Sequence, residues 1–354
     1  MERLSAPGAP RQEAGIPGQT GTSGADEARR WARLLNAYRE PSHRRSLREL
    51  ALTLGPFLLI WALALAALEA APWLSLVLAL LNAGFLVRLF LIQHDCGHGS
   101  FFRSRRMSDW LGRGLGVLTL TPYDVWKRYH ALHHAGAGNL DDRGMGDVKT
   151  LTVREYRALP NGARLRYRLY RHPLVLFGLG PAYVFLLQYR LPLGLERSGA
   201  LFWISAMATN LALAALLGLL LWFAGPLAVL LIWLPSTLGA ASIGVWLFYV
   251  QHQFDETVWD GDPDWQLHDA ALHGSSHYVL PGVLRWITAN VGVHHVHHLQ
   301  SRVPFYRLPE VLRDHPRLAE AQRLTLRDSL RCVRLKLWDE DRRRMVGFAE
   351  VRLD

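Results

Sequence analysis

The chain has 354 residues, half of them hydrophobic, with 40 Lys and Arg against 30 Asp and Glu for a net charge of +10, enough length for a large core or a multi-span membrane domain. Its two cysteines, Cys96 and Cys332, lie far apart, which excludes a disulfide framework or zinc-ribbon spacing and fits reduced thiols. A mean hydropathy of +0.05 conceals long uncharged runs alternating with Arg-rich stretches, a membrane pattern, so the basic excess points to anionic lipid or an acidic protein rather than nucleic acid.

Residues 1–28 are rich in Gly, Ala, Pro and Ser. They are expected to be disordered and do not read as a secretory signal peptide. Residues 29–49 carry many Arg, as a basic helix at a membrane surface would. Leu52–Leu68 is then uncharged, Glu69–Pro72 makes a turn, and Trp73–Ile92 is apolar except for Asn82 and Arg88. A helix of about 20 residues spans the roughly 30 Å of hydrocarbon, so these two runs predict a transmembrane hairpin. Leu174–Leu187 is apolar but short, which suits an interfacial or re-entrant segment. Leu201–Phe223 and Pro226–Val250 carry no charge and are separated only by Ala224 and Gly225, predicting a second hairpin. Arg39, Arg44, Arg45 and Arg48 precede the first span, and Arg103, Arg105 and Arg106 follow the second. The two turns between paired spans carry no Lys or Arg. By the positive-inside rule, both termini and the long middle segment share the cytosolic side. Residues 311–354 read as a charged, helical cytosolic tail behind a membrane domain at 29–310.

Nine of the 16 histidines fall in three clusters: His94-Asp-Cys-Gly-His98, His130-Ala-Leu-His133-His134 and His294-His295-Val-His297-His298. Residues i, i+3 and i+4 of a helix share a face, so each cluster is a short rake of imidazoles. In the third, His294, His297 and His298 form one such set and His294, His295 and His298 another; recurrence of the H-x-x-H-H pattern makes His295 the odd one out. All three clusters fall on one side of the membrane under this topology, so they can converge. His252, two residues beyond Val250, could reach the same centre or anchor the interface. Imidazole sets suit Fe, Cu, Zn and Ni. Neither the Glu-x-x-His pairs of carboxylate di-iron bundles nor the zinc-protease H-E-x-x-H is present. Spacing alone thus gives a polyhistidine metal centre at a membrane surface without choosing the metal.

These boxes, their order and their flanking hydrophobic pairs resemble the membrane fatty acid desaturase family. The surrounding text is similar to bacterial acyl-lipid and Delta-12-like desaturases: His94–Phe102, Gly138–Tyr156, Gln251–Phe254, Gly274–Ser276 and Asn290–Leu299. The resemblance covers roughly 50–310. It implies an all-α integral membrane fold, with four transmembrane helices in two hairpins and a cytosolic helical cap carrying a polyhistidine di-metal site. By position it implies two Fe ions held by His94, His98, His130, His133, His134, His294, His297 and His298, with His252 matching a further histidine after the fourth span. His273 and His277 depart from the family pattern and are not counted as ligands. The implied activity is O2-dependent insertion of a cis double bond into a membrane lipid acyl chain. No nucleotide fingerprint, iron–sulfur cysteine set or fused haem domain supplies the two electrons, so a separate ferredoxin or cytochrome must. Asp95, Asp124, Asp141, Asp142, Asp147, Asp255, Glu256 and Asp269 are the acidic residues near the boxes able to orient ligand imidazoles. Trp126, Trp259 and Trp286 either line an acyl channel or anchor the interface. A hydroxylase, conjugase or carotenoid oxygenase would use the same scaffold. A histidine-rich metal transporter would need polar ligands inside the spans, and these spans hold little beyond Arg88. The complete boxes argue against a lipid-binding protein with a degenerate site. The expected location is a bacterial inner membrane with the site on the cytosolic face.

Overall fold

The computed structural model describes residues 24–143 and 146–352. Most of the expected disordered tail therefore lies outside the described residues, although α1 (Gly24–Leu34) already begins at its end. Among the described residues, three helical stretches are long and apolar enough to cross a membrane: His43–Ala67, Pro72–His98 and Ala200–His252. The first two are α2 and α3. Ser42 caps α2 by accepting the Arg45 amide, and Pro72 opens α3 at a position where its missing N–H costs nothing. Both helices overrun the apolar runs. α2 starts among the basic residues at His43, and α3 carries the first histidine cluster on its last turns before Gly99 ends it in a left-handed conformation, φ 66°.

Arg88 is the one charge within the apolar part of α3, and it is almost fully buried. It pairs with Glu49 of α2 at 2.6 Å, donates to Thr53 at 3.1 Å and to the Trp286 carbonyl, and lies 4.1 Å from the Trp286 ring centroid. A buried charge is tolerable when paired and hydrogen-bonded, and here it ties two apolar helices to the segment ahead of the third cluster.

α4 (Arg105–Leu118) and α5 (Tyr123–Gly136) follow. α5 carries the second cluster and packs against α4 through Gly112 and Gly116. Two short helices, α6 (Val153–Ala158) and α7 (Asn161–Tyr170), lead to the apolar stretch 174–187. That stretch forms a π turn, Val175–Leu179, and a seven-residue helix, α8 (Gly180–Leu186). At 1.5 Å per residue it is too short to cross a bilayer. The third apolar stretch is α9 (Ala200–Ala228), a π turn at Val229–Trp233 and α10 (Leu234–His252). The helix is interrupted at Gly225, where φ 71° and ψ 179° lie outside the helical region. α10 packs along α3, bringing His252 beside the end that bears His94 and His98.

The remainder is compact. α13 (His294–Leu299) carries the third cluster and packs against α11 (Leu267–His273), while α12 (Gly282–Ile287) packs against α3. Residues 311–354, expected as a tail, contribute Val311, Leu318, Leu324, Cys332, Leu335, Trp338 and Met345 to the main core. They also close two small sheets. β1 (Leu151–Thr152) runs parallel to β4 (Leu337–Asp339), which pairs antiparallel with β5 (Arg344–Val346). β2 (His277–Val279) runs parallel to β3 (Arg323–Thr325).

Candidate metal centre

The three clusters and His252 meet. His94, His98, His130, His134 and His297 form one group and His133, His252, His294 and His298 a second; within each, one ring nitrogen per residue lies within 4.8 Å of all the others. The groups adjoin, since the His134 ring of the first stacks on the His298 ring of the second at 4.1 Å and 21°. All nine side chains come from α3, α5, α10 and α13; the His94 and His98 pair points into the first group, while the other two rakes are divided between the groups.

The nitrogens stand unusually close. Nε2 of His130 is 2.9 Å from Nε2 of His98 and 3.1 Å from Nε2 of His134, which is 3.1 Å from Nε2 of His297. In the second group, His294 Nε2 lies 3.0 Å from His252 Nε2 and 3.1 Å from His298 Nε2. A neutral ring nitrogen offers one proton or one lone pair, so His130, His134 and His294 would each have to share that proton or pair between two partners. Lone pairs converging on a cation meet no such shortage. For an ion about 2.1 Å from each nitrogen, ligands at right angles are about 3.0 Å apart and tetrahedral ligands about 3.4 Å, and the observed edges match the former. The residues therefore fit a metal in each group.

Their electrostatics agree. Burial first, and neighbouring histidines second, hold His130, His134, His294, His297 and His298 well below the ordinary value of 6.5. They are neutral at neutral pH and keep a lone pair for a metal. His133 Nδ1 lies 2.5 Å from Asp147 Oδ1 while its Nε2 is buried with no protein partner. That is the arrangement of a ligand whose other nitrogen donates to a carboxylate. His94 Nδ1 lies 3.3 Å from Asp95 Oδ1, and Asp95 Oδ2 accepts the Phe305 amide at 2.8 Å, which ties the first cluster to the chain after the third. His252 Nδ1 faces the Gly274 carbonyl at 3.3 Å.

The other sequence candidates go elsewhere. His295 belongs to neither group; its Nε2 donates to the Leu318 carbonyl at 2.8 Å, and burial lowers it to about 3. His277 bonds the Ala319 carbonyl and His273 pairs with Asp269 at 3.1 Å. Of the eight acidic residues, Asp95 and Asp147 meet histidines of the groups, Asp124 pairs with Arg113, and Asp255 and Glu256 are exposed. Trp126 is buried and stacks on His130 at 4.8 Å and 14°, walling the first group. Trp259 stacks on Trp338. Phe248, which sequence reasoning missed, lies 4.9 Å from His133 and 5.3 Å from His252. Its only signal was its place one turn before His252. His133, His252 and Phe248 line a cavity of about 510 Å³ that extends past Gln253, Thr150 and Trp259. No histidine of the first group lines it.

Residues 71–329 match the family described as fatty acid desaturase. A fatty acid desaturase of Bacillus subtilis (strain 168) is 43% identical over 317 residues, covering 89% of each chain. An sn-1 acyl-lipid omega-3 desaturase (ferredoxin) of Synechocystis is 29% identical over 76% of this chain and 74% of its own. An acyl-lipid omega-3 desaturase (cytochrome b5) of the Arabidopsis thaliana endoplasmic reticulum is 28% identical over 74% and 69%.

Proposed function

Because the chain belongs to the fatty acid desaturase family, we propose that it is an integral-membrane di-iron enzyme that introduces a cis double bond into the acyl chain of a membrane lipid. The observation that carries this reading is the pair of histidine groups at the ends of apolar helices, one of them opening on a cavity of about 510 Å³. His94, His98, His130, His134 and His297 hold one iron; His133, His252, His294 and His298 hold the other. Imidazole suits several metals; the family and the need to activate O2 favour iron over zinc.

When bound, the iron pair supplies the reductive activation of O2 needed to oxidise an unactivated methylene. The balance is one O2, two electrons and two protons from outside, and two hydrogens from adjacent carbons, giving one double bond and two waters. The chain's own residues hold and orient the centre. Asp147 and Asp95 fix ring tautomers, Trp126 walls off one side, and the apolar part of the cavity, at Phe248 and Trp259 beside His133 and His252, is where the acyl chain would lie, away from the charged Asp141, Arg143, Lys149 and Glu155. Electrons come from a separate protein of ferredoxin or cytochrome type, the donors named for the Synechocystis and Arabidopsis relatives.

The break at Gly225 supports reading Ala200–His252 as two spans, hence four spans in two hairpins below a cytosolic cap. The Arg flanking the spans supports placing both termini and the site on the cytosolic side, and the bacterial relatives support a bacterial inner membrane as the location. On this reading the desaturase domain begins near residue 29 and runs past 310, because the family match continues to 329 and the segment after 310 shares the main core. The test is gas chromatography, with double-bond location, of lipids from a host expressing the gene. A new cis-unsaturated acyl chain is expected. A hydroxylated chain would shift the reading to a hydroxylase on the same scaffold, and unchanged lipids in a host with a competent donor would contradict both.

A further inference from the structure

Arg171 is fully buried just after α7, and among the described residues no carboxylate lies within ion-pair distance of it. An unpaired buried guanidinium is costly, so what surrounds it matters. One terminal nitrogen donates to the Lys149 carbonyl at 3.2 Å and Thr150 Oγ1 at 3.0 Å. The other faces Gln253 Oε1 at 2.5 Å, the Leu335 carbonyl at 3.0 Å and Tyr249 Oη at 3.4 Å. Gln253 Nε2 donates to Thr150 Oγ1 at 2.8 Å, so the two sides of the fork are joined.

These partners flank two histidines. Lys149 and Thr150 follow Asp147, whose carboxylate holds His133. Tyr249 and Gln253 bracket His252 at the end of α10. Both histidines belong to the four-histidine group, whereas none of Arg171's partners lies on α3, α5 or α13, which supply the whole five-histidine group. The clasp is closed from the C-terminal segment. Tyr249 Oη lies 2.7 Å from the Leu335 carbonyl and 2.8 Å from that of Cys332, and Lys336 Nζ donates to the Arg171 carbonyl at 2.7 Å. All three lie beyond residue 329, where the family match ends.

We propose that Arg171, clamped by Leu335 and Lys336, is a positioning residue for the four-histidine group, holding the loop behind His133 and the helix end bearing His252 at one separation. Its planar fork satisfies acceptors on three segments at once, which a lysine cannot. The inference rests on the two-iron reading. It gives the C-terminal segment a part in the centre.

The test is anaerobic titration of iron(II) into metal-free full-length protein in detergent, followed by desalting and metal analysis, for the wild type, Arg171→Gln and Arg171→Lys. Two ions are expected in the wild type. Arg171→Gln should remain monodisperse and retain one, and Arg171→Lys should recover part of the second. Two ions held by Arg171→Gln at wild-type affinity would overturn the proposal. So would loss of both ions together, which a merely structural role would produce. If Arg171→Gln aggregates, Tyr249→Phe carries the test. It deletes only the hydroxyl joining the clasp to residues 332 and 335, and should weaken one ion several-fold; unchanged binding of both would overturn the proposal. A wild type that binds fewer than two ions would overturn the two-iron reading and this inference with it.

Discussion

The helix bearing the second histidine cluster is held by a glycine contact that can be tested within one helix. A Cβ at Gly112 of α4 would stand 2.3 Å from Cε2 and 2.6 Å from Cδ2 of Tyr123, the first residue of α5. Carbon atoms at contact are about 3.5–4.0 Å apart, so the ring and the backbone must separate by about 1 Å or more. The ring cannot swing aside cheaply. It is buried, and its hydroxyl donates at 2.7 Å to Asp109, which also pairs with Lys127 at 2.6 Å. Gly114, two residues on, has nothing within 4 Å of its virtual Cβ. Both Gly→Ala substitutions gain about 0.5–1 kcal/mol of helix propensity. The difference between them isolates the clash, about 1–3 kcal/mol. Thermal unfolding in detergent should place Gly112→Ala a few degrees below Gly114→Ala. His130 lies two turns along α5, and a misplacement of about 1 Å at a reacting centre costs on the order of 100-fold. Product formation by Gly112→Ala should therefore fall about 10- to 100-fold, while Gly114→Ala matches the wild type. Equal behaviour of the two variants in both assays would refute the argument that α4 positions the second cluster.

In the third cluster, His297→Ala should abolish activity and His295→Ala should leave a measurable part of it; the reverse would show that the opposite face of α13 holds the metal. Burial, and then Arg171, lower Lys336 to about 8 from 10.5, so the folded state disfavours the charged form. Between those values the unfolded chain binds more protons, and stability should rise as pH climbs from about 8 to about 10, measured by denaturant unfolding; Lys336→Met should flatten that rise, and an unchanged slope would contradict the assignment. The basic excess should steer an acidic electron donor, so turnover at limiting ferredoxin in neutral detergent should fall with salt as the Debye length shrinks from about 10 Å at 0.1 M to about 3 Å at 1 M; a salt-insensitive apparent affinity would leave the charge to the lipid surface.

Much of this was legible because helical periodicity is local. The spacing of His130, His133 and His134 already puts three imidazoles on one side of α5, and Gly225 already marks where a 53-residue apolar stretch cannot stay straight. What was not legible depends on partners distant in sequence. Asp142 and Asp147 are equally plausible on paper, and only the fold brings Asp147 to His133. Arg171 read as one Arg among many, because its acceptors come from segments up to 164 residues away. The charged composition after residue 310 suggested a tail. Its few apolar residues, Leu324, Leu335 and Trp338, nevertheless lie in the main core, and Leu337 pairs in register with Leu151. Two-residue and three-residue strands carry too little alternation to be read in advance.

The central claim, that nine histidines hold two irons which oxidise the acyl chain, is tested most directly by metal analysis of protein whose activity is measured in the same preparation. About two irons per chain are expected, with activity lost on chelation and regained with iron(II). Stoichiometric zinc in protein that is active as isolated would contradict it.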